Sequence, residues 1–227
     1  MRTWHATLDA ARDVSVAVGP FALSDTTVAG VKLRIGGYDA SERDKIVPQF
    51  TRAITELTKR FGPFPFPSLS VARLPNDGGG IEYPSSILMF ANIRLVAVHE
   101  TAHQWFYAMV GDSQSLHPWL DEAFATYAEE LVNNDADPSA LKAAGNVDSS
   151  VESYGSREQD YYFTTYNKGS AALHAARAPA GAAAFDHALR CYVNANAWRI
   201  ANPNDLANAL HDLPKAIAVL RKAGALR

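Results

Sequence analysis

Cysteine is almost absent from this 227-residue chain, where Cys191 stands alone. A single thiol closes no intramolecular disulfide and builds no multi-cysteine metal site, so stability has to come from packing. Cys191 itself is expected to be a small buried hydrophobe. An excess of one charge is missing too. The formal net charge is -3 with both signs scattered along the chain, which offers no basic stripe to nucleic acid and no polybasic run to an anionic membrane. No stretch reaches the ~20 uninterrupted apolar residues of a membrane span. The amino-terminal Met1-Arg2-Thr3-Trp4-His5 also lacks the charged and apolar blocks of a secretory signal. The compartment stays undecided, with the cytoplasm as the default expectation and an exported full-length form still open.

What remains is an ordinary globular composition, 48% hydrophobic and 20% charged, large enough for one sizeable core or two modest ones. From Thr7 to Ile35 the pattern is strand-like: Val14, Val16 and Val18 alternate with smaller residues, and Val31, Leu33 and Ile35 alternate again. These predict a few antiparallel strands. From Ser41 to Phe61 the period changes to helical, with Ile46, Phe50, Ile54 and Leu57 three or four apart. That change predicts a boundary near residue 38.

The run Gly62-Pro63-Phe64-Pro65-Phe66-Pro67 is a stiff connector, because its prolines lack donors and restrict their neighbours. Leu69 to Leu74 and Ile81 to Phe90 read as strands joined through Asp77-Gly78-Gly79-Gly80. The remainder reads as mostly helical: Ile93 to Met109, Leu120 to Asn133, Gly169 to Arg177, Ala182 to Ala195, and an interrupted stretch from Pro203 to Ala225.

The sharpest feature is His99-Glu100-Thr101-Ala102-His103, an HExxH pattern inside a helical segment. Residues four apart lie one turn above each other, so both imidazoles can meet one ion while Glu100 faces a water beside it. The same pattern also arises on plain amphipathic helices, and two ligands leave a catalytic zinc under-coordinated. Trp119-Leu120-Asp121-Glu122 opens a second helix, with 18 residues between His103 and Glu122. A helix, a loop and a returning helix would bring Glu122 back as the third ligand, completing a two-histidine, one-carboxylate set. Alone, Glu122 would read as a partner for the helix dipole.

The stretch HETAHQWFYAMVGDSQSLHPWLDEAFATY, from His99 to Tyr127, resembles the zinc site of the aminopeptidase N family, the gluzincin aminopeptidases. Gly79-Gly80-Ile81-Glu82-Tyr83-Pro84 resembles that family's exopeptidase motif, with Tyr83 where asparagine is common, and Tyr166-Asn167-Lys168-Gly169 resembles its catalytic-tyrosine segment. The motifs occur in family order over roughly residues 38 to 227.

The resemblance implies one zinc ion held by His99, His103 and Glu122, with Glu100 as general base and Tyr166 as donor to the developing oxyanion. It further implies that Glu82, with Gly79 and Gly80 leaving room, receives the amino group of a peptide with a free amino terminus. The expected fold is α+β, a thermolysin-like (zincin) catalytic domain over residues 38–227. It would have a small mixed sheet whose edge strand carries Glu82, and a mostly helical second half. Residues 1–37 would be the remnant of an amino-terminal β-domain, and further domains of larger relatives would be missing. The function implied is removal of amino-terminal residues from peptides. A zinc endopeptidase and a catalytically silent peptide-binding domain remain the alternatives.

Lys168 reads as a solvated or helix-start charge and His117 as a surface residue. Trp105 and Trp119 are expected to pack the two site helices together.

Overall fold

The computed structural model describes residues 3, 5, 7–75, 78–91 and 94–227. The expectations that fall on Met1, Arg2, Trp4, Asp77, Asn92 and Ile93 lie outside the described residues.

Strands β1 (Ala22–Val28) and β2 (Val31–Gly37) form an antiparallel hairpin. Its two-residue turn, Ala29-Gly30, has positive φ at both positions (49° and 84°), the twist that suits a tight hairpin. In β2 the expected alternation holds, with Val31, Leu33 and Ile35 buried and Lys32 and Arg34 exposed. The valines upstream behave differently. Val14, Val16 and Val18 are 77%, 80% and 91% exposed and form no strand. Alternation predicts a strand only where one face has something to bury against, and these residues have no such face.

Helix α1 (Ala40–Phe61) is capped by Asp39, whose carboxylate accepts from Glu42 N at 2.9 Å. It ends at Gly62, with φ 102°. Ile46, Phe50, Ile54 and Leu57 are all fully buried, as their spacing predicts. The helix carries the chain over to β3 (Ser68–Arg73), which lies parallel to β2. Strands β4 (Gly80–Tyr83) and β5 (Ser86–Met89) follow as an antiparallel pair. The single strand expected from Ile81 to Phe90 is therefore a hairpin, bent at Pro84-Ser85 with Ser85 at φ 63°. The mixed sheet has the order β1-β2-β3-β5-β4, which leaves Glu82 on its edge strand as expected.

The β1–β2 hairpin belongs to this sheet. Its Val28, Val31, Leu33 and Ile35 share one buried cluster with Ile46, Phe50 and Ile54 of α1. The boundary expected near residue 38 falls between β2 and α1, two elements that share this cluster.

The second half is helical: α2 (Arg94–Ala102), α3 (Trp119–Asn133), α4 (Val151–Tyr154), α5 (Glu158–Tyr162), α6 (Gly169–Ala180), α7 (Ala182–Asn196), α8 (Pro203–Ala209) and α9 (Pro214–Lys222). A short parallel pair, β6 (Val110–Gly111) and β7 (Arg199–Ile200), clips the loop after α2 to the end of α7. Helix α2 is shorter than the expected 93–109. Beyond Ala102 the amides of Gln104 and Trp105 bond to carbonyls three residues back, and Tyr107 turns to φ 114°. The apolar run continues as a compact turn that buries Trp105 and Phe106 completely.

Helix α2 lies between two cores. Ala97 packs with the sheet cluster, whereas Val98 and Ala102 join Trp105, Trp119, Phe124 and Tyr192 in the larger helical cluster. Each large apolar side chain removed from water contributes about 1.5–3 kcal/mol, so α2 is held from both sides. Two smaller expectations about exposure fail, although Lys168 does stand at the start of α6. Cys191 is exposed on α7, with His187 Nε2 3.7 Å away, and Lys168 is buried, its ammonium donating to Gly145 O.

Candidate active site

Three elements meet at a cleft of about 440 Å³: the β4 edge, helix α2, and the facing pair of α3 with the turn that carries Tyr166. His99 and His103, one turn apart, have ring centroids 4.7 Å apart. His103 follows the last residue of α2 but keeps a helical amide bond to His99 O at 3.3 Å. Across the cleft, Glu122 sits in the first turn of α3. Its Oε2 is 3.2 Å from His99 Nε2 and 3.4 Å from His103 Nε2. Ligand atoms of the three residues lie within 4.8 Å of one another, which is a set that could hold one metal ion.

Both imidazoles are braced from behind. His103 Nδ1 meets Asp121 Oδ1, and both residues are about 1% exposed. His99 Nδ1 meets Glu129 Oε2 at 3.3 Å. A carboxylate on Nδ1 fixes the tautomer that points the Nε2 lone pair at an ion. Asp121 and Glu129 were missed in the sequence. The signal was present, because Glu129 lies seven residues after Glu122 and so returns to the same face of α3.

In this site, burial works against a charge on His99, but its hydrogen bonds to the carboxylates of Glu122 and Glu129 outweigh it and raise its pKa to about 9. His103 is also held well above the ordinary imidazole value, with burial opposed by Asp121 and then by Glu82 and Glu122. For Glu122, burial is overcome by His103 and His99, which pull its carboxyl well below the usual range.

Glu100 faces the β4 wall. Burial lifts its pKa to about 7 against the pull of His99 and His103, and its Oε2 is buried with no hydrogen-bond partner among the described residues. Gly80 explains how the strand comes so close, since a Cβ there would lie 2.5 Å from Glu100 Cγ. At Gly79 an added Cβ would meet none of the described residues within 4 Å, so contact with them does not force the glycine there. Ligand atoms of Glu82, Glu100 and His103 also lie within 4.8 Å of one another. Gln104 ties the walls together by donating to Tyr83 O at 3.1 Å and accepting from Ser85 N at 2.8 Å.

Tyr166 sits in a π-helical turn, Phe163–Lys168, the kind of local bulge that re-aims a side chain. Its ring stacks on His99 at 6.0 Å with planes 6° apart. Burial, and then the charge and hydrogen bond of Glu122, push its phenol far above the ordinary tyrosine value. The turn can dock on α3 because residue 169 is glycine, where a Cβ would fall 2.4 Å from Ala123 Cβ.

The two expected tryptophans are both fully buried. Trp119 Nε1 donates to Asp148 at 3.1 Å, and the same carboxylate oxygen lies 2.6 Å from His117 Nδ1. His117 is thus an anchor of the loop before α3 rather than a bare surface residue.

An HExxH helix that carries its own base and a carboxylate returning from a second helix form the arrangement of a mononuclear metal centre. Residues 82–222 match the Peptidase family M1 domain, and the chain belongs to that family. It is 27% identical to aminopeptidase M1-C of Oryza sativa subsp. japonica over 66% of its own length and 21% of the relative's. To aminopeptidase M1 of Arabidopsis thaliana it is 25% identical, over 87% of this chain and 27% of the relative. The fold superposes on an M1 zinc metallopeptidase from Deinococcus radiodurans with TM-score 0.75 and 26% identity, covering 92% of this chain and 53% of that one. The chain thus spans about a quarter of the plant relatives it matches. The expected α+β fold of this family's catalytic domain is the one observed.

Proposed function

We propose that this chain is the catalytic part of a zinc aminopeptidase, cutting amino-terminal residues from peptides. On this reading, one zinc ion is held by His99, His103 and Glu122, and the catalytic unit includes the β1–β2 hairpin together with everything after it. The observation that carries the proposal is the approach of both Nε2 atoms to Glu122 Oε2, at 3.2 and 3.4 Å, beside the carboxylates of Glu100 and Glu82. When bound, zinc supplies Lewis-acid polarisation of the scissile carbonyl and of the attacking water.

The chain's own groups divide the remaining work. Glu100, with its pKa lifted to about 7, can take a proton from water and return it to the leaving amine near neutrality. Tyr166 keeps its proton, since burial and Glu122 oppose its loss, and so serves as a hydrogen-bond donor to the oxyanion. Glu82 on the edge strand supplies a carboxylate for the substrate's ammonium group, and the missing side chains at Gly79 and Gly80 leave room for its backbone.

Hydrolysis of matched free and amino-blocked peptides by protein of measured zinc content tests the reading, with Glu100→Gln as control. Expected is turnover of free peptides only, reduced at least ~1000-fold in the control, while zinc content stays unchanged. Cleavage of blocked peptides would favour an endopeptidase. A folded, zinc-loaded protein with no turnover would overturn the proposal for this chain.

A further inference from the structure

The cleft has two ends, and Glu82 marks one of them, with its ligand atom within 4.8 Å of those of Glu100 and His103. From His103, helix α2 leads back one turn to His99 and one turn further to Leu95 and Val96. At that second end the lining consists of Leu95 and Val96, Tyr162 from the last turn of α5, and Glu129 from α3. Leu95 and Tyr162 are 36% and 48% exposed, so they offer an apolar surface that stays open to solvent. The Tyr162 ring lies 5.1 Å from that of Tyr166.

The charges at this end have one sign. The cleft lining holds four glutamates, and among the described residues it holds no lysine or arginine. Arg94, in the first turn of α2, is exposed outside the lining and acts on Asp135. A bound metal ion offsets Glu122, and a substrate ammonium offsets Glu82. Glu129 then faces a neutral imidazole, with Oε2 3.3 Å from His99 Nδ1 and its side chain 17% exposed, and its charge is left without a counterpart.

We propose that this end receives the side chain of the substrate's second residue and selects a basic one, whose stem lies on Leu95 and Tyr162 and whose charge meets Glu129. The proposal rests on the aminopeptidase reading. With the ammonium at Glu82 and the scissile carbonyl at the ligand set, an extended chain advances about 3.3–3.6 Å per residue and carries its second side chain past His99. Lysine and arginine bury an apolar stem while keeping a charged head in water, and either head can also sit over a tyrosine ring. An acidic side chain meets only like charge.

The test compares kcat/KM on free tripeptides that differ only at the second position: arginine against citrulline, and glutamate against glutamine. Within each pair the shape is alike and the charge differs. Expected is a preference of ~10-fold for arginine and a similar penalty for glutamate, both shrinking as salt is raised. In zinc-saturated Glu129→Gln the two ratios should fall toward one, whatever the overall rate of the variant, a change that loss of a structural brace alone would not produce. Should that variant not fold, the wild-type salt series and the same pairs moved to the third position, where the preference should fade, carry the test. Equal rates within both wild-type pairs, or ratios unchanged in Glu129→Gln, would overturn the assignment. If no free peptide turns over, the aminopeptidase reading fails on its own, and dissociation constants of the same pairs on the zinc-loaded protein decide the subsite by the same ratios.

Discussion

On the β4 side of the cleft the arrangement depends on atoms that are absent, whereas on the α3 side it depends on charges that are paired. The edge strand approaches Glu100 because Gly80 has no side chain; a single Cβ would stand 2.5 Å from the Glu100 stem. Helix α3 supplies Glu122 to the ligand set and sets Asp121 and Glu129 behind the two imidazoles. One wall works by steric fit and the other by electrostatics. The two should therefore fail differently when altered, the first in turnover with metal retained and the second in metal affinity.

The largest effect should come from the steric wall. Gly80→Ala has to push the Glu100 side chain or the β4 backbone aside, and displacing a catalytic base by about 1 Å costs ~100-fold in rate. Zinc content should stay at one ion per chain, since the three atoms nearest the new methyl group all belong to Glu100, outside the ligand set. Measuring kcat alongside metal content separates the walls: a Gly80→Ala protein that loses zinc as readily as turnover would show that they are not independent.

Asp121→Asn should do the reverse. The buried carboxylate holds the His103 ring with Nε2 facing Glu122, and an amide keeps the shape while losing the charge. Loss of such a brace weakens metal binding by about 10- to 100-fold. Competition with a chromophoric chelator reads this directly, and an unchanged zinc affinity would remove Asp121 from the account.

The electrostatic wall also sets a pH dependence. Without metal, Glu122 and Glu129 hold His99 protonated up to about 9, against an ordinary value of 6.5. Because the folded value lies above the unfolded one, this pairing stabilises the metal-free fold fully below about 6.5 and is lost as pH rises toward 9. Zinc needs the neutral imidazole, so its binding tightens over the same interval. Melting curves with and without zinc should diverge between pH 6.5 and 9, the metal-free form falling and the gap widening. A constant gap would contradict the paired-charge description.

The same contrast explains what the sequence made legible. His99, Glu100, His103 and Glu122 could be found because a helix repeats every 3.6 residues and the ion needs convergent ligands. Gly80 and Glu82 were visible only as a motif, and the reason for the glycine, a backbone brought against Glu100, needs the tertiary structure. Helix α1 was legible along its whole apolar face, whereas the alternating Val14, Val16 and Val18 misled, because alternation does not reveal whether a partner surface exists. Lys168 and Cys191 were misassigned in opposite directions, one buried and one exposed. Burial of a single residue depends on neighbours distant in sequence, such as Gly145 accepting from Lys168. The early end of α2 followed from the same limit, since the apolar run through Trp105 and Phe106 is equally compatible with a helix and a packed turn.

Glu129→Gln is the finest test of the comparison. Among the described residues Glu129 is one of two carboxylates at ion-pair distance from His99, and its side chain is 17% exposed where that of Asp121 is 1%. Solvent therefore screens part of its charge, and the amide can still bond to the imidazole. The expected loss of zinc affinity is about tenfold or less, smaller than for Asp121→Asn. Because Glu129 is one of the groups that raise the His99 pKa, the interval in which zinc binding tightens should shift toward lower pH. A loss as large as that of Asp121→Asn, with no shift of the interval, would mean that Glu129 positions the ring by packing alone, and that only one of the two braces works through charge.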